Sequence, residues 1–252
     1  LNKIYRSNIF DENTLSGNRV WITHTDKNNT VWAGTDRGVC YYSQKTDTFQ
    51  RIATGSRPVH VLEHSNYVFF TTTNDGVFRV SKKTKEVVRY QFDPLDPFSL
   101  SSSKFSTKQT KPLALDGETL WVGTTNGLNK VNINTGQAKR LYSGKTNLVK
   151  GDTITSVLVK NDILYIGTTN GLGLSDLVFG ENMDDDIGSL GNTHILNQFN
   201  IKETGHTGVL VKNEIVILNR NKIAENIQTD QHLSKIKDLN TGQYLLTSEK
   251  HK

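Results

Sequence analysis

The stretch "LWVGTTNGLNKV" occupies residues 120–131, and "LYIGTTNGLGLS" occupies residues 164–175, so GTTNGL recurs at an interval of 44 positions. A recurring string is either a duplicated site or a duplicated structural unit. Two further copies favour the unit: "VWAGTDRGVCYY" from Val31 and "FFTTTNDGVFRV" from Phe69. All four align without a gap from their first residue to Gly38, Gly76, Gly127 and Gly171. In three of them a Thr follows eight residues later, at Thr46, Thr84 and Thr135. Weaker copies begin near Ile215 ("EIVILNRNKI") and at Tyr244 ("YLLTSEKHK"), giving starts at 31, 69, 120, 164, about 215 and 244. A period in the forties is the range of propeller blades, small sheets that cannot bury both faces alone.

The chemistry within one copy agrees. "LWVGT" is a short run rich in aromatic and β-branched residues and reads as a strand. Arg37-Gly38, Asp75-Gly76, Asn126-Gly127 and Asn170-Gly171 then mark tight hairpin turns, where positive φ is expected. A second strand follows ("LNKVNI", "VFRVSK", "VCYYSQ"), then a polar Thr turn, then a third ("AKRLYS", "VVRYQF", "FQRIAT"). Ahead of each "LWVGT" lies another apolar run: "VWITHT", "VHVLEH", "LALD", "TSVLVK" or "TGVLVK". The expectation is an all-β propeller of four-stranded blades, with about six repeats in one domain over residues 1–252. The mid-strand Gly is read as a point of close approach by a neighbouring blade. The Thr after it is read as a hydroxyl that binds turn backbone. GTTNG is no phosphate loop, because it lacks the Lys-Ser/Thr end and opens no helix.

"D-x-x-x-x-VWAGTDRGV", "LWVGTTNGLNKVNINTGQ" and the linker "YQFDPLDPFSLSS" (residues 90–102) resemble the regulator propeller repeats of bacterial extracytoplasmic sensors. Those repeats belong chiefly to hybrid two-component histidine kinases and to some diguanylate cyclases. The resemblance is good over residues 20–142, fair to 175 and poor beyond. It implies a periplasmic, non-catalytic sensing segment that works with further segments of the same receptor, as a homodimer, on an oligosaccharide or other small ligand. The kinase, receiver and cyclase outputs of that family have no counterpart here. "NKIYRS" looks like the last strand of a preceding blade, and "LLTSE" stops where the family continues into a hairpin. The expectation is therefore an incomplete ring or a fragment, joined to a membrane only through other parts of its parent.

Composition excludes several alternatives. The single cysteine, Cys40, can form no internal disulfide and reads as a small buried residue. A net charge of +5 without a basic helix or arm does not suit nucleic acid. The seven histidines (His24, His60, His64, His194, His206, His232, His251) show no metal spacing. His60 and His64 sit on one strand, about 13 Å apart at i and i+4. "ENMDDDIG" at residues 181–188 lacks the calcium-loop pattern and reads as a solvated acidic loop. Nothing calls for a cofactor, and no paired carboxylates, Ser-His-Asp or Cys-His set can be nominated. A lyase or glycosidase is accordingly the weakest class.

Two linkers exceed hairpin length, residues 92–111 and 176–199. Both run from an outer strand towards the next inner strand, on the face that carries the TTNG turns; long loops gathered on one face of a repeat array commonly bind ligands. Basic residues recur just ahead of the inner strands: Arg19, Arg57, Lys111, Lys150 and Lys235. Arg19, Arg57 and Lys111 are the candidate ligand contacts, suited to an anionic group such as the carboxylate of an acidic sugar. Trp21, Trp32 and Trp121 could stack on sugar, although Trp32 and Trp121 occupy the repeated strand position and read as core. The competing function is a structural propeller that mediates dimerisation.

Overall fold

In the computed structural model the described residues are 3–106, 111–146, 148–178, 190, 193–200, 207–211, 214–219, 222–228, 233–238 and 244–248. They form an all-β fold of consecutive antiparallel sheets, grouped in two compact units, Leu1–Thr107 and Lys108–Lys252. The first unit holds two four-stranded sheets. One is β1 (Val20–Thr25), β2 (Val31–Thr35), β3 (Gly38–Ser43) and β4 (Thr48–Thr54); the other is β5 (Pro58–Glu63), β6 (Tyr67–Thr72), β7 (Val77–Ser81) and β8 (Val87–Tyr90).

The second unit opens with β9 (Leu113–Asp116), β10 (Thr119–Thr124), β11 (Gly127–Asn132) and β12 (Ala138–Leu141), again one four-stranded sheet. Three strands follow: β13 (Ile154–Lys160), β14 (Ile163–Thr168) and β15 (Leu172–Asp176). Then come β16 (Asn197–Asn200), β17 (Thr207–Leu210), β18 (Glu214–Asn219) and β19 (Lys222–Gln228), and the pair β20 (Leu233–Asp238) and β21 (Tyr244–Ser248). The copy starts at 31, 69, 120, 164 and 244 fall on the second strand of their sheets, β2, β6, β10, β14 and β21, whereas the start near 215 falls on β18, the third strand of its sheet, because β16 and not "TGVLVK" is the first.

The second strand of each of the first four sheets, β2, β6, β10 and β14, is buried on both faces, which explains its unbroken apolar run. In β2, Trp32 faces a cluster with Val68, Phe70 and Phe78 of the next sheet, whereas Ala33 faces Leu15 and Cys40. In β14, Leu164 and Ile166 join a cluster with Trp121 and Leu128, whereas Ile163 and Tyr165 join one with Val209 and Leu218. The alternation is the period-2 pattern of a strand sandwiched between sheets.

Mid-strand glycines sit where a neighbour leaves no room. A Cβ on Gly34 would stand 2.8 Å from Cγ of Pro58 in the next sheet. One on Gly123 would collide with Ile154, and one on Gly167 would lie 2.8 Å from Cγ2 of Ile195. The following Thr latches the turn in each of the four clear copies. Thr35, Thr72, Thr124 and Thr168 donate to the carbonyls of Gly38, Gly76, Gly127 and Gly171 at 3.3, 3.1, 2.9 and 2.9 Å. Each also accepts a turn N–H, from Arg37, Asp75, Asn126 and Asn170 respectively.

Three expectations need correction. The second copy does not align without a gap: Thr71 pairs with Val77, so Thr72 is the latch and the turn to Gly76 holds one residue more than that of Thr35–Gly38. Positive φ in these turns is taken by the Gly itself, with Gly38 at 126° and Gly127 at 106°, and not by the Asp, Arg or Asn before it. Finally, residues 176–199 are not all linker. "NQFN" forms β16, which pairs with β17, and the sheet β13–β15 has three strands among the described residues. The acidic string 181–188 lies outside the described residues.

Candidate functional site

In the first unit, Arg19 and Arg57 each precede an inner strand, β1 and β5. Both backbones are anchored to the hairpin turn of their own sheet. The Asp36 N–H donates to the Arg19 carbonyl at 3.1 Å, and the Thr73 N–H donates to the Arg57 carbonyl at 2.9 Å. Just beyond, the ladder slips by one residue. Val20 pairs with Thr35 but Ile22 pairs with Gly34, leaving Trp21 as the extra residue of a β-bulge. The slip recurs at Val59 in β5 and at Thr155 in β13. A bulge re-aims the side chain it carries.

At Trp21 the outcome is an indole that stays 47% exposed, whereas Trp32 is fully buried and Trp121 is 4% exposed. The Arg57 guanidinium carbon lies 4.2 Å from the centre of the Trp21 ring, and that of Arg19 lies 5.7 Å away. Among the described residues neither guanidinium has a hydrogen bond or carboxylate partner. The structure therefore brings together two of the three candidate contacts, beside the one tryptophan of the three that the sequence reading did not assign to the core.

Lys111 belongs to the second unit and holds a different register position. Leu113 pairs with Val122 as Thr23 pairs with Ala33, so Lys111 matches Trp21 rather than Arg19. It bridges to Ser156 of β13, and its carbonyl accepts the Val157 N–H at 2.8 Å. In the β13 sheet the position of Arg19 is filled by Thr153, whose carbonyl accepts the Thr169 N–H, so Lys150 is not its equivalent. Lys235 lies inside β20 rather than ahead of it.

Loops rise beside the hairpin turns of the first unit. Residues 8–16 and 93–101 fold alike, although only the second was singled out as a linker. The Asn8 and Asp93 N–H groups donate to the hydroxyls of Thr14 and Ser99 at 3.0 and 2.8 Å. Those hydroxyls return bonds to the carbonyls of Asn8 and Asp11, and of Asp93 and Asp96. The shared spacing Asn/Asp-x-x-Asp-x-x-Thr/Ser-Leu-Ser was the available signal. Arg51 of β4 clamps the first loop by donating to the carbonyls of Asn8 and Leu15. Ser103 and Phe105 tie the second to Gly76 and Thr73. A 370 Å³ cleft beside the first loop is lined by Ile9, Ser16, Asp36, Arg37, Arg51 and Gly55.

The far end of β1 carries a different assembly. Asp26 accepts Nε1–H of Trp32 at 2.9 Å and the N–H groups of Asn28 and Thr30, both at 2.9 Å. Burial pushes its carboxyl up, but the bonds from Trp32, Thr30 and Asn28 and the charge of Lys82 outweigh it, and the net shift is downward. Lys82 and His24 meet the two oxygens of Glu63, and Lys85 lies 4.6 Å from the Trp32 ring centre. These groups are satisfied by one another, which fits a structural role. No cluster of His, Cys, Asp and Glu suited to a metal occurs among the described residues.

No family model matches the chain, and no curated protein matches it. Solved structures do. The extracellular domain of the hybrid two-component system BT3049 from B. thetaiotaomicron superposes with a TM-score of 0.69 over 93% of this chain and 33% of that one, at 18% identity. The extracellular domain of the hybrid two-component system BT4673 from the same organism gives 0.65 over 90% and 30%, at 17% identity. BamB from Moraxella catarrhalis gives 0.52 over 87% and 78%, at 17% identity. The chain thus has the β-propeller fold expected from its repeats and spans about a third of the length of the sensor domains it matches.

Proposed function

We propose that this chain is a non-catalytic, ligand-sensing part of a bacterial signalling receptor of the two-component type, placed in the periplasm. Its ligand is a saccharide, and its partners are further segments of the same receptor, which acts as a homodimer. The observation that carries the reading is the half-exposed Trp21 flanked by Arg19 and Arg57, on a fold shared with extracellular sensor domains. Arg19 and Arg57 are the proposed contacts in the first unit. Lys111 is a separate candidate in the second.

The test is calorimetric titration of the chain with a panel of neutral and acidic oligosaccharides. The double variant Arg19→Gln/Arg57→Gln is compared with Lys45→Gln/Lys83→Gln, two exposed lysines near the Thr46 and Thr84 turns. Lys85 does not belong in the control, because it lies over Trp32 and burial lowers its pKa. Loss of binding in the first variant with retention in the second supports the reading. The reverse places the site elsewhere.

A second reading, a propeller that mainly mediates dimerisation, draws on the two matched loops. At equivalent positions they expose Phe10 to 95% and Leu95 to 91%. Sedimentation of Phe10→Ser/Leu95→Ser separates the two: a change in oligomeric state without loss of saccharide binding favours this alternative.

A further inference from the structure

We propose that Arg19 and Arg57, gathered about Trp21, form an oxyanion subsite that takes the carboxylate or sulfate group of an acidic saccharide. This rests on the saccharide-sensing reading and adds to it the chemical class of the ligand. A guanidinium packed on an aromatic ring keeps its charge and its forked N–H donors while losing little freedom on binding, which suits bidentate capture of an oxyanion. Here two guanidinium groups share one indole, at 4.2 and 5.7 Å from its centre.

The donors are unspent. Among the described residues neither group bonds to a carboxylate, and the nearby Asp36, whose N–H is held by the Arg19 carbonyl, forms no ion pair with either. Two cations held close without a counter-charge concentrate positive potential, which an entering oxyanion relieves. The frame is fixed from below, because both arginine carbonyls are tied to hairpin turns and the indole rides on a bulge. Trp21 is therefore a positioning residue that also offers apolar surface to the sugar ring, while the guanidinium groups hold the charge.

Trp21 also supplies the readout. With Trp32 fully buried and Trp121 at 4% exposure, collisional quenching by acrylamide reports chiefly on Trp21. Quenching is followed during titration with tri-galacturonate, a sulfated galactose trimer, a neutral galactose trimer of the same length, and tri-glutamate. The expected result is protection by either acidic sugar, weakened by added salt, and none by the neutral trimer. Arg57→Gln should weaken binding about tenfold or more, since a charge-assisted pair is removed. Arg57→Lys should fall between, keeping charge but losing the fork. Trp21→Phe should retain a melting transition and lose the quenchable emission, which confirms the source of the signal.

Equal protection by neutral and acidic trimers, unaffected by Arg57→Gln, overturns the oxyanion subsite and leaves saccharide sensing standing. Arginine-dependent protection by tri-glutamate with none from any sugar keeps the subsite and overturns the saccharide reading. Protection by no probe overturns the subsite.

Discussion

Nε1 of Trp32 donates to Oδ2 of Asp26 at 2.9 Å, joining the largest buried ring of the first unit to a carboxylate that also closes the β1–β2 turn. The three donors and Lys82 favour the charged form more than burial opposes it. The folded-state pKa therefore lies below the value of about 3.9 for an unfolded aspartate. Stability from this group is complete above the unfolded pKa and is lost as pH falls through the folded one. Asp26→Asn should cost about 1 kcal/mol at pH 7, the difference between a charge-assisted and a neutral acceptor. Denaturant unfolding from pH 7 to pH 3 should show the gap between wild type and variant closing as the pH drops.

Gly123→Val and Gly167→Val should each destabilise the fold by about 1–3 kcal/mol, because their side chains would overpack Ile154 and Ile195. Thermal melting checks this. A variant that melts like wild type yet loses only ligand binding would give these glycines a role in the site instead of the sheet interface.

The hydroxyl of Thr124 donates to the Gly127 carbonyl and accepts the Asn126 N–H, and it is fully buried. Thr124→Val strands both turn groups and should cost about 1–3 kcal/mol. Thr124→Ser keeps the hydroxyl and should cost less. Equal melting midpoints for the two variants would remove the latch from the account.

Much of this fold was legible. "VWITHT" and "LALD" coincide with β1 and β9 residue for residue, because aromatic and β-branched runs between turn-formers leave little else. The slip in the second copy was not legible. In Thr71-Thr72-Thr73 composition alone fits more than one register, and only the hydrogen bond from Thr72 to Gly76 selects one. β16 was missed because "NQFN" has no apolar alternation. At the site, Arg19 and Arg57 were found from their place ahead of a strand. Trp21 was set apart from the core tryptophans Trp32 and Trp121, but its place between Arg19 and Arg57 was not legible, because a bulge depends on pairing with a partner strand and leaves no mark in its own residues. The loop at residues 8–16 was overlooked because its prolines are absent, although its hydrogen-bonding residues match those of 93–101.

The central claim is that ligand is met on the hairpin-turn face of the first unit. Hydrogen–deuterium exchange, with and without whichever trimer protects Trp21, tests it most directly. The account predicts slowed exchange at residues 19–22, 36–38 and 57–60, with no change at the opposite turns, residues 44–48 and 82–86. Slowed exchange at the opposite turns, with residues 19–22 unchanged, would contradict it.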